Sequence, residues 1–168
     1  MSEQNLTLTD ALQIAVEAEK QSAAFYKDAA AKAANTALQQ LFNKLADLEQ
    51  HHYDKVTELA AALKKKGKFI VYEGYASPIP AQSEVKVSGD AAKIAAGGKG
   101  SLMEVLTMAQ DVEVQASKRY IVLAGMTSDA DGKKMFQRLA KEEQSHLHLL
   151  TEAYWNLNDY GIWKWSAG

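Results

Sequence analysis

Apolar residues recur every three or four positions along four stretches of this chain, which places them on one face of an α-helix. The pattern predicts helices over residues 8–33, 36–65, 101–125 and 129–158. Members of the four apolar stripes include Leu12 and Ala15, Leu41 and Leu45, Leu106 and Ala109, and Leu139 and Leu150. Each predicted helix is roughly two to three times as long as an average helix. Long helices joined by short connections form antiparallel hairpins, so the sequence predicts an all-α protein made of two hairpins.

An irregular segment, residues 66–100, separates the two predicted hairpins. It contains both prolines of the chain, Pro78 and Pro80, and most of the glycines, and residues 68–73 and 85–88 have some strand character. A connection of this length can run along a whole helix and begin the third helix at the far end of the bundle. The predicted fold is therefore a four-helix bundle with one long crossover between helices 2 and 3.

The length of 168 residues suits a single domain with a substantial hydrophobic core. We expect that domain to consist of one helix pair over 8–65, the crossover 66–100 and a second helix pair over 101–158. The final residues, 159–168, form an aromatic tail that contains two of the three tryptophans. We expect this tail to pack against the end of the bundle or against a partner subunit.

An internal repeat relates the two halves of the chain, with an offset of 94 residues. Apolar positions correspond across the repeat: Leu12 with Leu106, Ala15 with Ala109, Phe42 with Phe136, Leu45 with Leu139, and Ala46 with Ala140. Polar positions correspond as well: Glu19 with Glu113, Tyr26 with Tyr120, Glu49 with Glu143, and His52 with His146. These polar residues lie on the apolar stripes, so we expect them to point into the bundle.

Each half contains a Glu-x-x-His motif, and a further glutamate lies 30 residues before each motif. Residues three positions apart share a helix face, so the two side chains of one motif can hold the same ion. Four unpaired carboxylates in a bundle interior would each cost several kcal/mol. Two divalent cations would neutralise them, and we therefore predict a two-metal site. Its predicted ligands are Glu19, Glu49, His52, Glu113, Glu143 and His146.

This ligand set, rich in carboxylate with one imidazole for each ion, suits iron or manganese. Structural zinc more often uses cysteine, and calcium does not favour histidine. Three polar residues beside the ligands, Glu142, His51 and His148, are expected to face solvent. The alternative explanation is a bundle with buried polar pairs and no metal, which would act only through protein interactions.

The composition narrows the function classes. The chain has no cysteine, which excludes disulfides, thiolate nucleophiles and iron–sulfur clusters built from its residues. Lys plus Arg total 19 and Asp plus Glu total 21, so nothing indicates nucleic acid or an anionic membrane as a partner. The first residues are polar, unlike a signal peptide, and no stretch approaches the ~20 apolar residues of a membrane span. We expect a cytoplasmic protein.

The motifs together resemble the ferritin-like di-iron carboxylate proteins, and most of all the rubrerythrin branch. The resemblance lies in EAEKQSAAFY and DVEVQASKRY, where a tyrosine follows the metal glutamate by seven residues, and in LADLEQHHYDK and LAKEEQSHLHL. It implies a ferritin-like bundle around two iron ions, with manganese as the other candidate. His52 and His146 would then be terminal ligands. The implied catalytic residues are the four carboxylate ligands and two tyrosines that bond to them: Glu19, Glu49, Glu113, Glu143, Tyr26 and Tyr120.

Two features depart from the rubrerythrin pattern. Rubrerythrins usually carry a rubredoxin-like domain with two cysteine pairs, which this sequence lacks. They also have a further glutamate three residues after the ligand on the third helix, where this chain has Ala116. The remaining set of four glutamates and two histidines is closer to the plain ferritin-like pattern. The two tyrosines also have a simpler explanation as core aromatic residues with satisfied hydroxyls.

The resemblance implies a non-haem di-iron oxidoreductase that reduces hydrogen peroxide or dioxygen. Its electrons would come from an external donor such as a rubredoxin-like protein. The alternatives are a ferroxidase or iron-binding protein without peroxidase turnover, a substrate oxygenase, and the metal-free interaction bundle. We also expect a homodimer, because exposed aromatic residues and a long connection commonly engage a second subunit.

Overall fold

The computed structural model describes residues 7–33, 36–69 and 99–160. These residues form four helices: α1 Leu8–Lys32, α2 Thr36–Lys66, α3 Lys99–Met126 and α4 Ala130–Tyr160. Every predicted helix is present, and each helix end lies within two residues of its predicted position. The described residues contain no strand, so the predicted all-α class is confirmed.

Two predictions fall almost wholly outside the described ranges. These are the strand character of residues 68–73 and 85–88 and the packing of the aromatic tail, residues 159–168. Within the described helices, no segment combines the length and the apolar character that crossing a membrane requires.

Local side-chain chemistry explains where several helices begin and end. Thr7 and Asp10 form a capping box at the start of α1, where each side chain accepts a hydrogen bond from the backbone N–H of the other residue. At the start of α4, Asp129 Oδ1 accepts a hydrogen bond of 2.7 Å from the N–H of Gly132. After α2, Gly67 adopts a positive φ of 64° and donates its N–H to the carbonyl of Leu63 at 2.9 Å. Glycine suits this left-handed turn because it has no Cβ.

The composition of two apolar clusters, one towards each end of the bundle, shows in which direction each helix runs. The first cluster combines the end of α1, the beginnings of α2 and α3, and the end of α4. The second combines the beginning of α1, the later parts of α2 and α3, and the beginning of α4. Since α2 and α3 both run from the first cluster to the second, they are parallel. The chain between Lys66 and Lys99 therefore connects opposite ends of the bundle, as the predicted long crossover requires.

The internal repeat appears in the packing as an approximate two-fold relation. The ring of Tyr26 stacks on Phe42 with a centroid distance of 6.3 Å, and Tyr120 stacks on Phe136 at 6.4 Å. All four rings are almost completely buried. One pair belongs to each cluster, so equivalent aromatic pairs flank the middle of the bundle on both sides. The layer between the two clusters is where the polar residues of the apolar stripes lie.

Two glycines provide a matched test of this backbone geometry. Gly67→Ala is expected to lower the free energy of unfolding by ~1 kcal/mol, because a Cβ is strained at positive φ. Gly125→Ala, in an exposed helical position with open space around it, is expected to raise it by up to ~1 kcal/mol. Urea unfolding followed by circular dichroism measures both. Equal effects of the two substitutions would contradict the assigned turn.

Candidate metal centre

The six predicted ligands converge in the layer between the two apolar clusters. The helix α1 supplies Glu19, α2 supplies Glu49 and His52, α3 supplies Glu113, and α4 supplies Glu143 and His146. None of these side chains is more than 1 % exposed. Helical periodicity is the local reason, since each ligand continues an apolar stripe; Glu19, for example, follows Ala15 by one turn. The sequence-based placement of all six in the bundle interior is therefore correct.

One donor atom from each of Glu49, His52, Glu143 and His146 lies within 4.8 Å of the others. The imidazole Nδ1 of His52 is 2.9 Å from Oε1 of Glu143 and 3.9 Å from Oε2 of Glu19. Glu19 thus joins the cluster from α1. This arrangement forms one half of the candidate site.

The second half is built in the same way around His146. Its Nδ1 lies 3.1 Å from Glu143 Oε2, 3.1 Å from Glu49 Oε1 and 3.4 Å from Glu113 Oε2. The rings of His52 and His146 are stacked, with centroids 5.3 Å apart. Because Glu143 has one oxygen beside each imidazole, its carboxylate lies between the two halves.

The donor atoms approach one another without forming hydrogen bonds. Among the described residues, ten buried side-chain atoms lack a hydrogen-bond partner, and eight of them belong to the six predicted ligands. The eight atoms are Glu19 Oε2, both oxygens of Glu49, Glu113 Oε2, both oxygens of Glu143, and Nδ1 of His52 and of His146. Buried polar atoms are normally satisfied, so this concentration requires an additional partner. Divalent cations fit it, because carboxylate oxygens and neutral imidazole nitrogens are ligands for iron and manganese.

The pKa values of three of the glutamates also show that their charged forms lack compensation. Burial raises the pKa of Glu19 above its usual value, and repulsion from Glu143 adds to the rise. Burial also raises the pKa of Glu49 well above the ordinary range, with Glu143 and Glu113 as the next contributors. For Glu113, burial raises the pKa to about 7. Without cations, burial therefore disfavours the charged forms of these three carboxyl groups.

The pKa shifts of the two histidines and of Glu143 favour the charged forms of these groups. Burial alone would lower the pKa of His52, but Glu143 and Glu142 raise it well above its usual value. Burial likewise opposes the charged form of His146, and Glu113 and Glu143 outweigh that effect. Burial acts to raise the pKa of Glu143, yet the two imidazoles hold it below its usual range. Without cations, the shifts thus favour the charged forms of both imidazoles and of Glu143.

The two tyrosines singled out in the sequence hold carboxylates from the opposite helix. The Tyr26 hydroxyl, on α1, donates to Glu113 Oε1 on α3. The Tyr120 hydroxyl, on α3, donates to Glu19 Oε1 on α1 at 2.7 Å. Burial raises the pKa of both hydroxyls, and the adjacent glutamates raise it further, so both remain protonated donors. Each tyrosine therefore occupies one oxygen of a carboxylate and leaves the other directed at the centre.

The prediction that Glu142 is exposed is wrong. Its side chain is only 11 % exposed, and Oε2 lies 3.1 Å from Nε2 of His52. Its other oxygen accepts a hydrogen bond of 3.1 Å from Nε of Arg138. An acceptor at Nε2 favours the imidazole tautomer whose Nδ1 lone pair faces the centre. Glu142 precedes His146 by four residues, and this helical spacing is the signal that could have placed it beside the interior.

The two halves of the centre differ in their supporting residues. The repeat partner of Glu142 is Leu48, which is buried, so His146 has no equivalent carboxylate at that position. A second difference is Arg119, whose repeat partner is Phe25 and whose Nη1 lies 3.7 Å from Glu19 Oε1. The sequence analysis did not predict a role for Arg119. The available signal was that the internal repeat aligns this charged residue with an apolar one, Phe25.

Three further residues near the candidate ligands in the sequence lie outside the described cluster of donor atoms. His148 is exposed, as expected, and contacts Glu152 at 3.3 Å. His51 is half-buried rather than fully on the surface. Ala116, which stands where rubrerythrins have a further glutamate, is buried and offers no donor atom. The described centre therefore has six candidate ligand side chains.

The pKa shifts predict that metal-free protein loses stability as pH rises. Above pH 4.5 the unfolded chain releases glutamate protons that the folded centre retains, so unfolding becomes easier by about 1.4 kcal/mol per pH unit for each such proton. Glu113 contributes up to its pKa of about 7. Urea unfolding of metal-free protein between pH 5 and pH 8 measures the slope. Glu49→Gln should flatten it, whereas Glu104→Gln, at an exposed position, should not. Stability that increases over this range would refute the assignment.

The cross-helix tyrosine bonds generate a further prediction. Tyr120→Phe leaves Glu19 Oε1 without its donor, and Tyr26→Phe does the same to Glu113 Oε1. Each change is expected to lower the unfolding free energy by about 1–3 kcal/mol. Tyr154→Phe, at a half-buried position eight residues beyond His146, is the control and should change it by less than about 0.5 kcal/mol. Similar values for all three variants, from urea unfolding at neutral pH, would contradict the assigned roles.

Comparisons with known proteins identify the family of this chain. A hypothetical protein from Pyrococcus furiosus superimposes with a TM-score of 0.68 over 95% of each chain, and its 22% sequence identity supports a shared fold alone. No curated protein matches the chain. The rubrerythrin family model matches residues 1–86, half of the sequence, and this region includes Glu19, Glu49 and His52. The chain belongs to the rubrerythrin family.

Proposed function

We propose that this protein is a non-haem di-iron oxidoreductase that reduces hydrogen peroxide with electrons from an external donor. One observation carries the proposal: eight unpartnered donor atoms from four carboxylates and two imidazoles meet in one buried layer. Two divalent cations would balance the charge of the four carboxylates. Membership of the rubrerythrin family supports iron as the metal. Dioxygen is the alternative oxidant for the same centre.

The residues divide into two sets around the centre. Glu19 and His52 would hold one ion, and Glu113 and His146 would hold the other. Glu143, with an oxygen beside each imidazole, and its repeat partner Glu49 would supply the remaining carboxylates that hold the two ions. Two ferrous ions bound there would supply the two electrons that reduce one hydrogen peroxide, with two protons, to two molecules of water.

The protein's own residues would keep the ligands in place while the ions are oxidised and reduced. The tyrosine hydroxyls fix the outer oxygens of Glu19 and Glu113, so these carboxylates can change their mode of binding without leaving the centre. The chain of Arg138, Glu142 and His52 fixes one imidazole. The apolar clusters above and below exclude bulk water from the layer of ligands. Small oxidants are consequently the substrates that suit this centre.

Turnover needs electrons from outside these 168 residues. Because they contain no cysteine, they cannot provide a thiolate-ligated redox centre. We propose that a separate rubredoxin-like protein, or another one-electron donor, reduces the metal pair after each reaction. Reduction in two single-electron steps fits a centre of two ions that each change by one unit of charge.

A second candidate function, ferroxidase or iron binding without peroxidase turnover, is favoured by one observation. Ala116 replaces the additional glutamate of rubrerythrins, and it is buried beside the centre. Six ligands without that glutamate are closer to the plain ferritin-like pattern. The two functions differ in oxidant and in the number of iron ions taken up, so a single experiment separates them.

Anaerobic loading with Fe(II), followed by separate pulses of peroxide and of oxygen, provides that experiment. We expect about two iron ions per chain, rapid oxidation by peroxide, and recovery by a chemical reductant over many cycles. Absorption spectroscopy follows oxidation, and elemental analysis gives the iron content. Faster oxidation by oxygen, with iron accumulating well beyond two ions per chain, would establish the ferroxidase. No iron uptake would refute both functions.

Matched histidine variants control the loading experiment. His146→Ala removes an imidazole that faces the centre and is expected to reduce tightly bound iron by at least half. His148→Ala removes an exposed imidazole on the same helix, two residues away, and should leave the iron content unchanged. Equal losses in both variants would show that iron binds outside the proposed centre.

A further inference from the structure

A cavity of about 360 Å³ opens between α1 and α3, next to the candidate metal centre. Its polar lining residues include Gln21 and Ser22 from α1, and Asp111, Gln115 and Arg119 from α3. A water molecule occupies about 30 Å³ in the liquid, so the space can hold a small ligand together with several waters. The cavity lies across the approximate two-fold axis, because Gln21 and Gln115 are repeat partners.

Arg119 links this cavity to the metal centre. Its side chain is 24 % exposed, and its Nη1 is buried without a hydrogen-bond partner, 3.7 Å from Glu19 Oε1. The same oxygen accepts the hydroxyl of Tyr120, while Glu19 Oε2 faces His52. One carboxylate group therefore separates the guanidinium from the position of the nearer ion.

The repeat shows that the fold does not need an arginine at this position. Its partner Phe25 also lines the cavity and has no charge. Burying Nη1 away from water is costly, and at 3.7 Å from Glu19 Oε1 this atom has not formed a close hydrogen bond. Arg119 therefore calls for an explanation beyond packing.

Metal binding leaves Arg119 without a counter-charge. When a cation binds to Glu19, the negative charge of that carboxylate is neutralised from the other side. The other acidic residue of the lining, Asp111, is exposed and lies eight residues away on α3, a separation of ~12 Å along the helix. In the loaded protein the cavity thus presents a positive charge at its inner wall.

We propose that this cavity binds a small monoanion, held by the guanidinium of Arg119 and by the side-chain amide of Gln115. Guanidinium groups form strong, charge-assisted hydrogen bonds with small oxyanions and carboxylates. The bound anion lies beside the metal centre rather than on the metal. The inference rests on the proposed metal site, because the cation on Glu19 makes Arg119 available.

Azide is a suitable probe because its infrared stretching band differs between an ion directly bound to metal and one held by hydrogen bonds. We expect anaerobic Fe(II)-loaded protein to show a saturable band of the hydrogen-bonded kind. Arg119→Gln should weaken azide binding by at least tenfold. Lys118→Gln, an equal change of charge at the exposed neighbouring position, should leave the affinity unchanged.

A second variant tests the cavity without altering charge. Gln115→Phe places a ring at the exposed wall of the cavity and should prevent azide binding, while circular dichroism and iron content stay normal. Equal azide affinity in the original protein and in Arg119→Gln would show that Arg119 only steadies Glu19, which overturns the proposal. A band of the metal-bound kind alone, or equal weakening by Lys118→Gln, would overturn it as well.

Iron analysis of the same samples distinguishes a failure of the proposed metal site from a failure of the anion site. Protein that takes up no iron contradicts the proposed function, and the anion site that depends on it is then rejected with it. Protein that takes up iron normally but binds azide without regard to Arg119 contradicts the anion site alone.

Discussion

The burial of four carboxylates in the middle of a helical bundle is the constraint on which this structure depends. Water cannot solvate these groups, and the surrounding helices offer too few donors for them. Two tyrosine hydroxyls satisfy part of the demand, yet eight side-chain atoms of the four carboxylates and two imidazoles remain without a hydrogen bond. Cations fit this demand, and their binding would become part of the energetics of folding.

The fold meets this constraint by dividing its apolar packing into two clusters. Each cluster contains a stacked tyrosine–phenylalanine pair and draws on all four helices. The ligands lie in the layer between them, so packing on both sides positions the carboxylates without relying on contacts among them. The parallel course of α2 and α3, which needs the long crossover, brings the two Glu-x-x-His motifs face to face in antiparallel helices.

The repeat supplies a nearly symmetric set of ligands, and the surrounding residues make the two halves different. Both departures support the half formed by Glu19 and His52. Glu142 lies against the imidazole where the repeat has a leucine, and Arg119 lies against the carboxylate where the repeat has a phenylalanine. Two ions with the same ligand types would consequently experience different electrostatic surroundings. Arg119 also lines the cavity between α1 and α3, so this half of the centre is the one that lies beside the cavity.

Sequence alone determined the helices and the interior position of the six candidate ligands, because each depends on spacing along one helix. It also indicated the crossover, since two long hairpins joined by some thirty residues have few alternatives. Only the tertiary structure placed Glu142 and Arg119 beside the centre. Both lie at the edge of a helical stripe, where exposure depends on the angle and distance of the neighbouring helix. Spacing in the sequence specifies the face of a helix, but the packing of the other helices decides how much of that face is buried.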